Sequence, residues 1–126
     1  TLESIYWLGV KLINKTVDKN SGLSLQQWEA YEINTEIPVN EALNALKKYM
    51  EEKNTLSLYA STSIMIVPGY NFRITKGIIT NFHQPRSTLL LLVSAWIGER
   101  WKDAYKFAIE NDFRFLSYGD SSLLLP

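Results

Sequence analysis

Residues 80–89, with the sequence TNFHQPRSTL, hold the densest group of side chains in this chain that could perform chemistry. The only histidine, His83, lies there close to Asn81, Ser87 and Thr88, and a run of apolar residues follows. Histidine gains and loses a proton near neutral pH, so it can act as a general acid or base, while amides and hydroxyls hold polar ligands. We therefore expect an active site along this segment.

The same segment predicts an anion site at the start of a helix. Pro85 and Ser87 precede residues 89–97, which are apolar except for Ser94, and this pattern marks a helix N-terminus. Unpaired backbone N–H groups and the positive end of the helix dipole stabilise an anion there, and Arg86 adds a full charge. A carboxylate or a phosphate would suit the site. The alternative is a purely structural helix cap with a histidine hydrogen-bonded to the backbone.

Two glycine-containing segments are further candidates for ligand binding. Gly69, followed by Tyr70, would let the backbone approach a ligand closely, whereas the simpler interpretation is a turn. Tyr118, Gly119 and Asp120 form either a loop that aims a carboxylate from a strand end or an ordinary aspartate turn. The four tryptophans and seven tyrosines either stack on nucleobases or, as is more common, belong to the core.

Composition excludes several classes of site and of protein. The 126 residues are 46% hydrophobic and balance 13 basic against 13 acidic side chains, which indicates one globular domain without an overall basic charge for nucleic acid. One histidine and no cysteine cannot form the usual zinc site, a disulfide framework or a thiol nucleophile. The apolar run is far shorter than the roughly 20 residues of a membrane helix. We expect a cytoplasmic protein without membrane contact.

Hydrophobic periodicity predicts four helices around these sites. Apolar residues at helical spacing indicate amphipathic helices over residues 2–13 and 39–51. The third helix spans residues 87–97, and its apolar character on nearly every side predicts complete burial. Gly98 ends it, and residues 101–109 mark the fourth, which has charged residues on its outer face.

The other apolar runs predict strands separated by polar turns. We expect strands at residues 25–33, 56–58, 64–67, 113–118 and 123–125, with residues 64–67 buried on both faces. A hairpin is expected where residues 72–74 and 78–79 flank a turn, and residues 14–24 form a polar loop. This combination of helices and strands predicts an α/β fold in which helices pack on a mixed sheet.

Three motifs together resemble one enzyme family. They read IVPGYNF at residues 66–72, ITNFHQPRSTL at residues 79–89, and RFLSYGD at residues 114–120, the last preceded by Tyr105. In this order they resemble the C-terminal part of the S-adenosylmethionine:tRNA ribosyltransferase-isomerase family of the queuosine pathway. The first residues, TLES, weakly resemble the helix that follows a Gly-Thr-Thr loop in that family. We expect residues 1–126 to be the C-terminal portion of the larger α/β domain of such an enzyme, without its N-terminal part and its β-barrel domain.

The resemblance implies an enzyme of tRNA modification. Members of the family transfer the ribosyl group of S-adenosylmethionine to the aminomethyl group of a deazaguanine base in tRNA. They then isomerise it to give epoxyqueuosine, while adenine and methionine leave. S-adenosylmethionine is thus expected as a substrate, and no cofactor is expected. The expected partner is the anticodon region of tRNA, and the expected state is a monomer.

The resemblance also implies an active site along residues 80–88. We predict catalytic roles for His83 and Asp120 and no metal ligands. Arg86 and the helix N-terminus are expected to bind the methionine carboxylate or an RNA phosphate. The predicted substrate-binding residues are Gly69, Tyr70, Thr80, Asn81, Phe82, Arg86, Ser87, Thr88 and Tyr118.

Some positions depart from the family pattern and keep alternatives open. Gln84 stands where Leu is usual, Arg86 where Lys is usual, and Ser121 with Ser122 where Ala-Met is usual; arginine keeps the charge but presents a planar fork. The chain could therefore be a divergent relative with another substrate, a non-catalytic module that binds RNA or a nucleotide, or a purely structural piece. We expect the isolated chain to fold but not to catalyse, because a two-substrate transfer needs groups from the missing segments.

Overall fold

The computed structural model describes residues 1–17 and 22–125; of the predicted polar loop, residues 18–21 lie outside the described residues. The chain forms two compact units, one made of residues 1–65 and 72–74, the other of residues 66–71 and 75–126. Helices beside small sheets confirm the predicted α/β class, and the strands form one parallel and one antiparallel pair. In chain order the elements are α1 (Leu2–Ile13), β1 (Ser24–Leu25), α2 (Glu29–Glu32), α3 (Val39–Glu52), β2 (Ser61–Thr62), β3 (Ile78–Asn81), α4 (Thr88–Ile97), α5 (Arg100–Glu110) and β4 (Ser121–Leu124).

The first unit is built on the packing of α1 against α3. Periodicity predicted both helices, and the structure confirms them with bounds that agree within one residue. Tyr6 and Val10 on α1 and Ala42 on α3 are completely buried. A Cβ atom at Gly9 would lie 2.2 Å from the carbonyl oxygen of Ala42, so the close approach of these helices requires glycine.

A buried carboxylate replaces the hairpin that the sequence predicted. Glu3 is 3% exposed, and its two carboxylate oxygens accept the backbone N–H groups of Arg73 at 2.9 Å and Ile74 at 3.0 Å. These N–H groups are therefore not available to residues 78–79. The predicted pairing of residues 72–74 with 78–79 is wrong, and β3 pairs with β4 instead.

Strand pairing in the first unit is short. β1 and β2 run parallel, with Ser24 opposite Ser61. The strand predicted over residues 25–33 is wrong beyond Leu25, because the Glu29 carboxylate accepts the backbone N–H of Gln26 at 2.9 Å and a helical turn follows.

Three other predicted strands are also wrong. Residues 56–58, 64–67 and 113–118 lie in loops, and residues 64–67 are half-buried rather than buried on both faces. Such short apolar runs carry no periodicity that distinguishes a strand from an extended loop.

The second unit packs α4 and α5 beside the antiparallel pair β3 and β4. Ile79 lies opposite Leu123, and the indole N–H of Trp96 on α4 donates to the carbonyl oxygen of Leu124 at 3.2 Å. The predicted last strand and the predicted fourth helix are thereby confirmed. The core of this unit consists of Phe82, Leu90, Val93, Tyr105 and Ala108.

Helix α4 has the predicted ends but not the predicted burial. The Ser87 hydroxyl caps it by accepting the Leu90 N–H at 3.2 Å, and Gly98 ends it at a positive φ of 60°. Leu89 is 49% exposed and Leu91 is 40% exposed, so the prediction of burial on every side is wrong for this chain. Among the described residues no helix has both the length and the apolar character needed to cross a membrane.

Candidate active site

A cleft of about 440 Å³ in the second unit brings together three of the predicted site residues, Thr80, Asn81 and His83. They follow one another across the end of β3 and the turn that leads towards α4. The order of the chain thus places the polar part of the predicted motif on one surface. The complete lining consists of Ile79, Thr80, Asn81, His83, Leu89, Leu116 and Ser117.

His83 is held at both its ring and its backbone. The ring Nε2 lies 2.6 Å from the hydroxyl oxygen of Thr80, so either Nε2–H donates to the hydroxyl or the hydroxyl donates to an unprotonated Nε2. The backbone N–H of His83 donates to the phenol oxygen of Tyr105 on α5 at 3.0 Å. Within the described residues the other ring nitrogen, Nδ1, has no hydrogen-bond partner from the protein. The half-buried imidazole is therefore oriented and keeps one nitrogen for a ligand.

Asn81 holds in place the turn that contributes Leu116 and Ser117 to the cleft. Its Nδ2 group donates to the carbonyl oxygens of Leu116 at 2.9 Å, Ser117 at 3.4 Å and Gly119 at 3.4 Å. Its Oδ1 accepts the hydroxyl of Ser121 at 3.2 Å. The amide is thus occupied in positioning the turn after residue 115, so its role in this structure is to shape the cleft.

The turn itself is tightly constructed. Leu116 adopts a positive φ of 70°, which disfavours a branched residue, and its N–H donates to the carbonyl oxygen of Phe82 at 2.8 Å. A Cβ atom at Gly119 would lie 2.3 Å from the carbonyl oxygen of Arg114, so this position requires glycine. We call residues 114–120 the clamped turn.

Asp120 closes the clamped turn. Its carboxylate accepts the backbone N–H of Arg114 at 2.7 Å and pairs with the guanidinium of the same residue at 3.0 Å. The hydrogen bond from the Arg114 side chain, with the backbone bond, lowers the pKa of Asp120. The side-chain hydrogen bond and the negative charge of Asp120 raise the pKa of Arg114. Asp120 is not a lining residue of the cleft, and its contacts stabilise the loop.

The two serines that depart from the family pattern support the site strand. Ser122 donates its hydroxyl to the carbonyl oxygen of Thr80 at 3.1 Å, as Ser121 does to the side chain of Asn81. Alanine and methionine lack these donors.

Leu89 of α4 lines the cleft, whereas the predicted site residues Arg86, Ser87 and Thr88 do not. Arg86 is exposed and adopts a positive φ of 63°, Ser87 is the helix cap, and Thr88 is the exposed first residue of α4. The predicted anion site therefore stands as an exposed arginine beside a helix N-terminus. The anion site at this position stays a prediction.

The remaining predicted residues have different surroundings. The ring of Phe82 is 6% exposed and packs against the rings of Tyr105, Phe113 and Phe115 at centroid distances of 5.3, 5.6 and 5.4 Å. Phe82 thus belongs to the core under the cleft.

Gly69 and Tyr70 belong to a turn outside the lining of the cleft. Gly69 has a positive φ of 95°, and the Tyr70 N–H donates to the carbonyl oxygen of Val67 at 3.1 Å. Tyr70 is 7% exposed, whereas Tyr118 in the clamped turn is 96% exposed.

The lining of the cleft contains hydroxyl, amide, imidazole and aliphatic groups and no charged side chain. Such walls suit an uncharged polar ligand with a flat or apolar face, and the imidazole can transfer a proton within it. Within residues 1–17 and 22–125, no three histidine, aspartate or glutamate side chains come close enough together to hold a metal ion.

Sequence reasoning did not assign Tyr105, Leu116 and Ser117 to the site. All three lie in the stretches that carry the family resemblance, which was the available signal. Their contribution is through a phenol oxygen and through backbone carbonyls, and residue types do not reveal which carbonyls a distant asparagine will bind.

Comparisons with known proteins identify the family of this chain. The family model described as "Queuosine biosynthesis protein" matches residues 38–124, which include the whole lining of the cleft. The S-adenosylmethionine:tRNA ribosyltransferase-isomerase of Dinoroseobacter shibae is 61% identical over 66 residues, 52% of this chain and 19% of that protein. The protein of the same name from Sphingopyxis alaskensis is 49% identical over 87 residues, 68% of this chain and 25% of that protein.

A solved structure shows the same relationship. The crystal structure of S-adenosylmethionine tRNA ribosyltransferase from Thermotoga maritima has a TM-score of 0.50 and 27% sequence identity to this chain, covering 71% of this chain and 39% of that one. The chain spans about a fifth to a quarter of the length of the curated relatives it matches. Since the family model covers more than half of its residues, this chain belongs to the queuosine biosynthesis protein family.

Proposed function

We propose that this chain supplies part of the active site of an S-adenosylmethionine-dependent tRNA ribosyltransferase-isomerase. The proposed reaction transfers the ribosyl group of S-adenosylmethionine to an aminomethyl-deazaguanine base in tRNA and isomerises it to epoxyqueuosine. One observation carries the proposal: the oriented histidine lies in a cleft whose entire lining falls within the family match. The names of the relatives supply the reaction class.

His83 is the proposed proton carrier. When the aminomethyl nitrogen forms its new bond to carbon, it must lose a proton, and an imidazole in the cleft can accept it. Thr80 fixes the ring at 2.6 Å, and the bond from the His83 backbone to Tyr105 fixes the chain beneath it. The uncharged lining supports placing a nucleoside portion of a substrate here rather than a carboxylate or phosphate.

Arg86 and the N-terminus of α4 remain the proposed anion site, for the methionine carboxylate or an RNA phosphate. The exposure of Arg86 supports this role, since a charge in water is free to meet a second molecule. We assign Asp120 a positioning role through Arg114. The same proposal includes S-adenosylmethionine as a substrate with no cofactor, docking of the tRNA anticodon region, a monomeric state and a cytoplasmic location.

The test uses the full-length protein that contains this chain. It is incubated with S-adenosylmethionine and tRNA carrying the aminomethyl-deazaguanine base, and the nucleosides are analysed by mass spectrometry. We expect epoxyqueuosine in the tRNA and free adenine and methionine in equal amounts. Binding of both substrates without product would instead indicate a non-catalytic module, and product from another base would indicate a divergent relative.

A further inference from the structure

The most exposed tyrosine of the second unit lies in the clamped turn. Tyr118 is 96% exposed, and the residues just before it, Leu116 and Ser117, line the cleft. A large aromatic side chain that contacts so little of its own unit contributes little to folding. Its backbone directly follows two lining residues of the cleft, and its ring is open to a second molecule.

The clamped turn is held from both sides. Asn81 binds the carbonyl groups of Leu116, Ser117 and Gly119, which flank Tyr118 on either side, and the bond between Arg114 and Asp120 closes the ends. Leu116 is kept at a positive φ. A backbone fixed in this way carries little conformational entropy to lose on binding, so an aromatic ring mounted on it binds a ligand with less ordering cost.

The chemistry of the ring selects one kind of partner. Base stacking on exposed aromatic side chains is the general means by which proteins hold unpaired nucleotides. The base that enters the cleft must leave its own stack, which also exposes its neighbours in the RNA. An exposed phenol ring on the turn that lines the cleft can stack on the flat face of such a neighbour.

We propose that Tyr118 is a stacking platform for a nucleobase of the RNA substrate next to the base that enters the cleft. The inference rests on the proposed function for the identity of the RNA. Asn81 is the positioning residue of the platform, because its amide holds the turn that carries the ring.

The experiment measures binding of tRNA that carries the aminomethyl-deazaguanine base and of S-adenosylmethionine separately, by titration of the full-length protein. Tyr118→Ala is compared with Tyr118→Phe, which keeps the ring, and with Tyr59→Ala as a matched control, since Tyr59 is 88% exposed but lies in the first unit. Stacking on one base corresponds to about 5- to 150-fold in affinity. We expect a loss of this size for tRNA with Tyr118→Ala only, with the salt dependence of binding and the affinity for S-adenosylmethionine unchanged.

Several outcomes would overturn the inference. They are tRNA affinity unchanged in Tyr118→Ala, an equal loss in Tyr59→Ala, or an equal loss in Tyr118→Phe. A lowered melting temperature with unchanged tRNA affinity would show that the ring packs against the protein instead. Turnover of the wild-type protein is measured alongside: absence of product contradicts the proposed function, whereas the titrations decide the role of Tyr118 in either case.

Discussion

Replacing His83 by alanine separates the chemical role of the imidazole from its structural role. The ring makes one hydrogen bond inside the protein, from Nε2 to the Thr80 hydroxyl, and the bond from the His83 backbone to Tyr105 survives the substitution. Thr80→Val is the matched control, because it removes the same hydrogen bond from the other side, keeps the shape of the side chain and leaves the imidazole in the cleft.

The two effects differ in size. A hydrogen bond of this kind contributes about 0.5–1.5 kcal/mol to stability, so both variants should lose roughly that much free energy of unfolding. A positioned general acid or base contributes about 10²- to 10⁴-fold in rate, equivalent to about 2.7–5.4 kcal/mol in the activation free energy. Thr80→Val should lower kcat only several-fold, because it removes the hydrogen bond that orients the His83 ring but keeps the imidazole that carries the proton.

The assay is epoxyqueuosine formation by the full-length protein under saturating substrates, with the free energy of unfolding from urea titrations. The reasoning is refuted if His83→Ala loses no more activity than Thr80→Val. It is also refuted if His83→Ala is destabilised by more than about 3 kcal/mol, since the loss of one part-buried hydrogen bond does not account for a change of that size. Either result would return His83 to a structural role.

Three further predictions concern the groups around the cleft. Tyr105→Phe leaves the His83 N–H without its acceptor and should lower the unfolding free energy by about 1–3 kcal/mol in urea titrations, and a change under 0.3 kcal/mol would contradict this. Arg86→Gln should lower the binding affinity for one substrate about ten- to a hundredfold in titrations. If that substrate is tRNA, the salt dependence of binding should also become smaller, and if it is S-adenosylmethionine, the loss should depend little on salt. Unchanged affinity for both substrates contradicts the anion site. Asp120→Asn should be less stable than wild type above about pH 4, with the difference lost as the pH falls through the lowered pKa of Asp120, because protonation breaks the pair with Arg114; a constant difference contradicts this.

Local signals account for what the sequence predicted correctly. The four predicted helices carry their apolar residues at helical spacing, and Ser87 and Gly98 mark the ends of α4 in ways that depend only on neighbouring residues. The burial of α4 depends on what lies outside the helix, and no pattern within residues 87–97 records that. The exposure of Leu89 and Leu91 therefore went unpredicted.

The failed strands have a common physical cause. Residues 113–118 have the apolar and aromatic character of a strand, yet Asn81 binds the carbonyl groups of this segment and Leu116 turns at a positive φ. In a β-sheet those carbonyl groups would accept hydrogen bonds from a neighbouring strand. Because Asn81 already binds them, residues 113–118 do not pair as a strand. The partner is 35 residues away in sequence for the Leu116 contact, which is beyond the reach of periodicity.

The sequence predicted the part of the candidate site whose residues are close together in the chain. Thr80, Asn81 and His83 follow one strand into one turn, so their grouping in the cleft comes from adjacency. Asp120 was predicted as a carboxylate aimed at substrate, but its acceptor oxygens are engaged by Arg114. Its residue type alone does not separate these roles.

The departures from the family pattern bear on substrate choice through their positions. Gln84 and Arg86 are exposed and do not line the cleft. Ser121 and Ser122 also lie outside the lining and donate hydrogen bonds to Asn81 and Thr80. A change of substrate by alteration of the cleft would require a change in the lining itself. The serines instead donate two hydrogen bonds to the strand that carries the site, so these two departures act on how β3 is held and not on the groups that line the cleft.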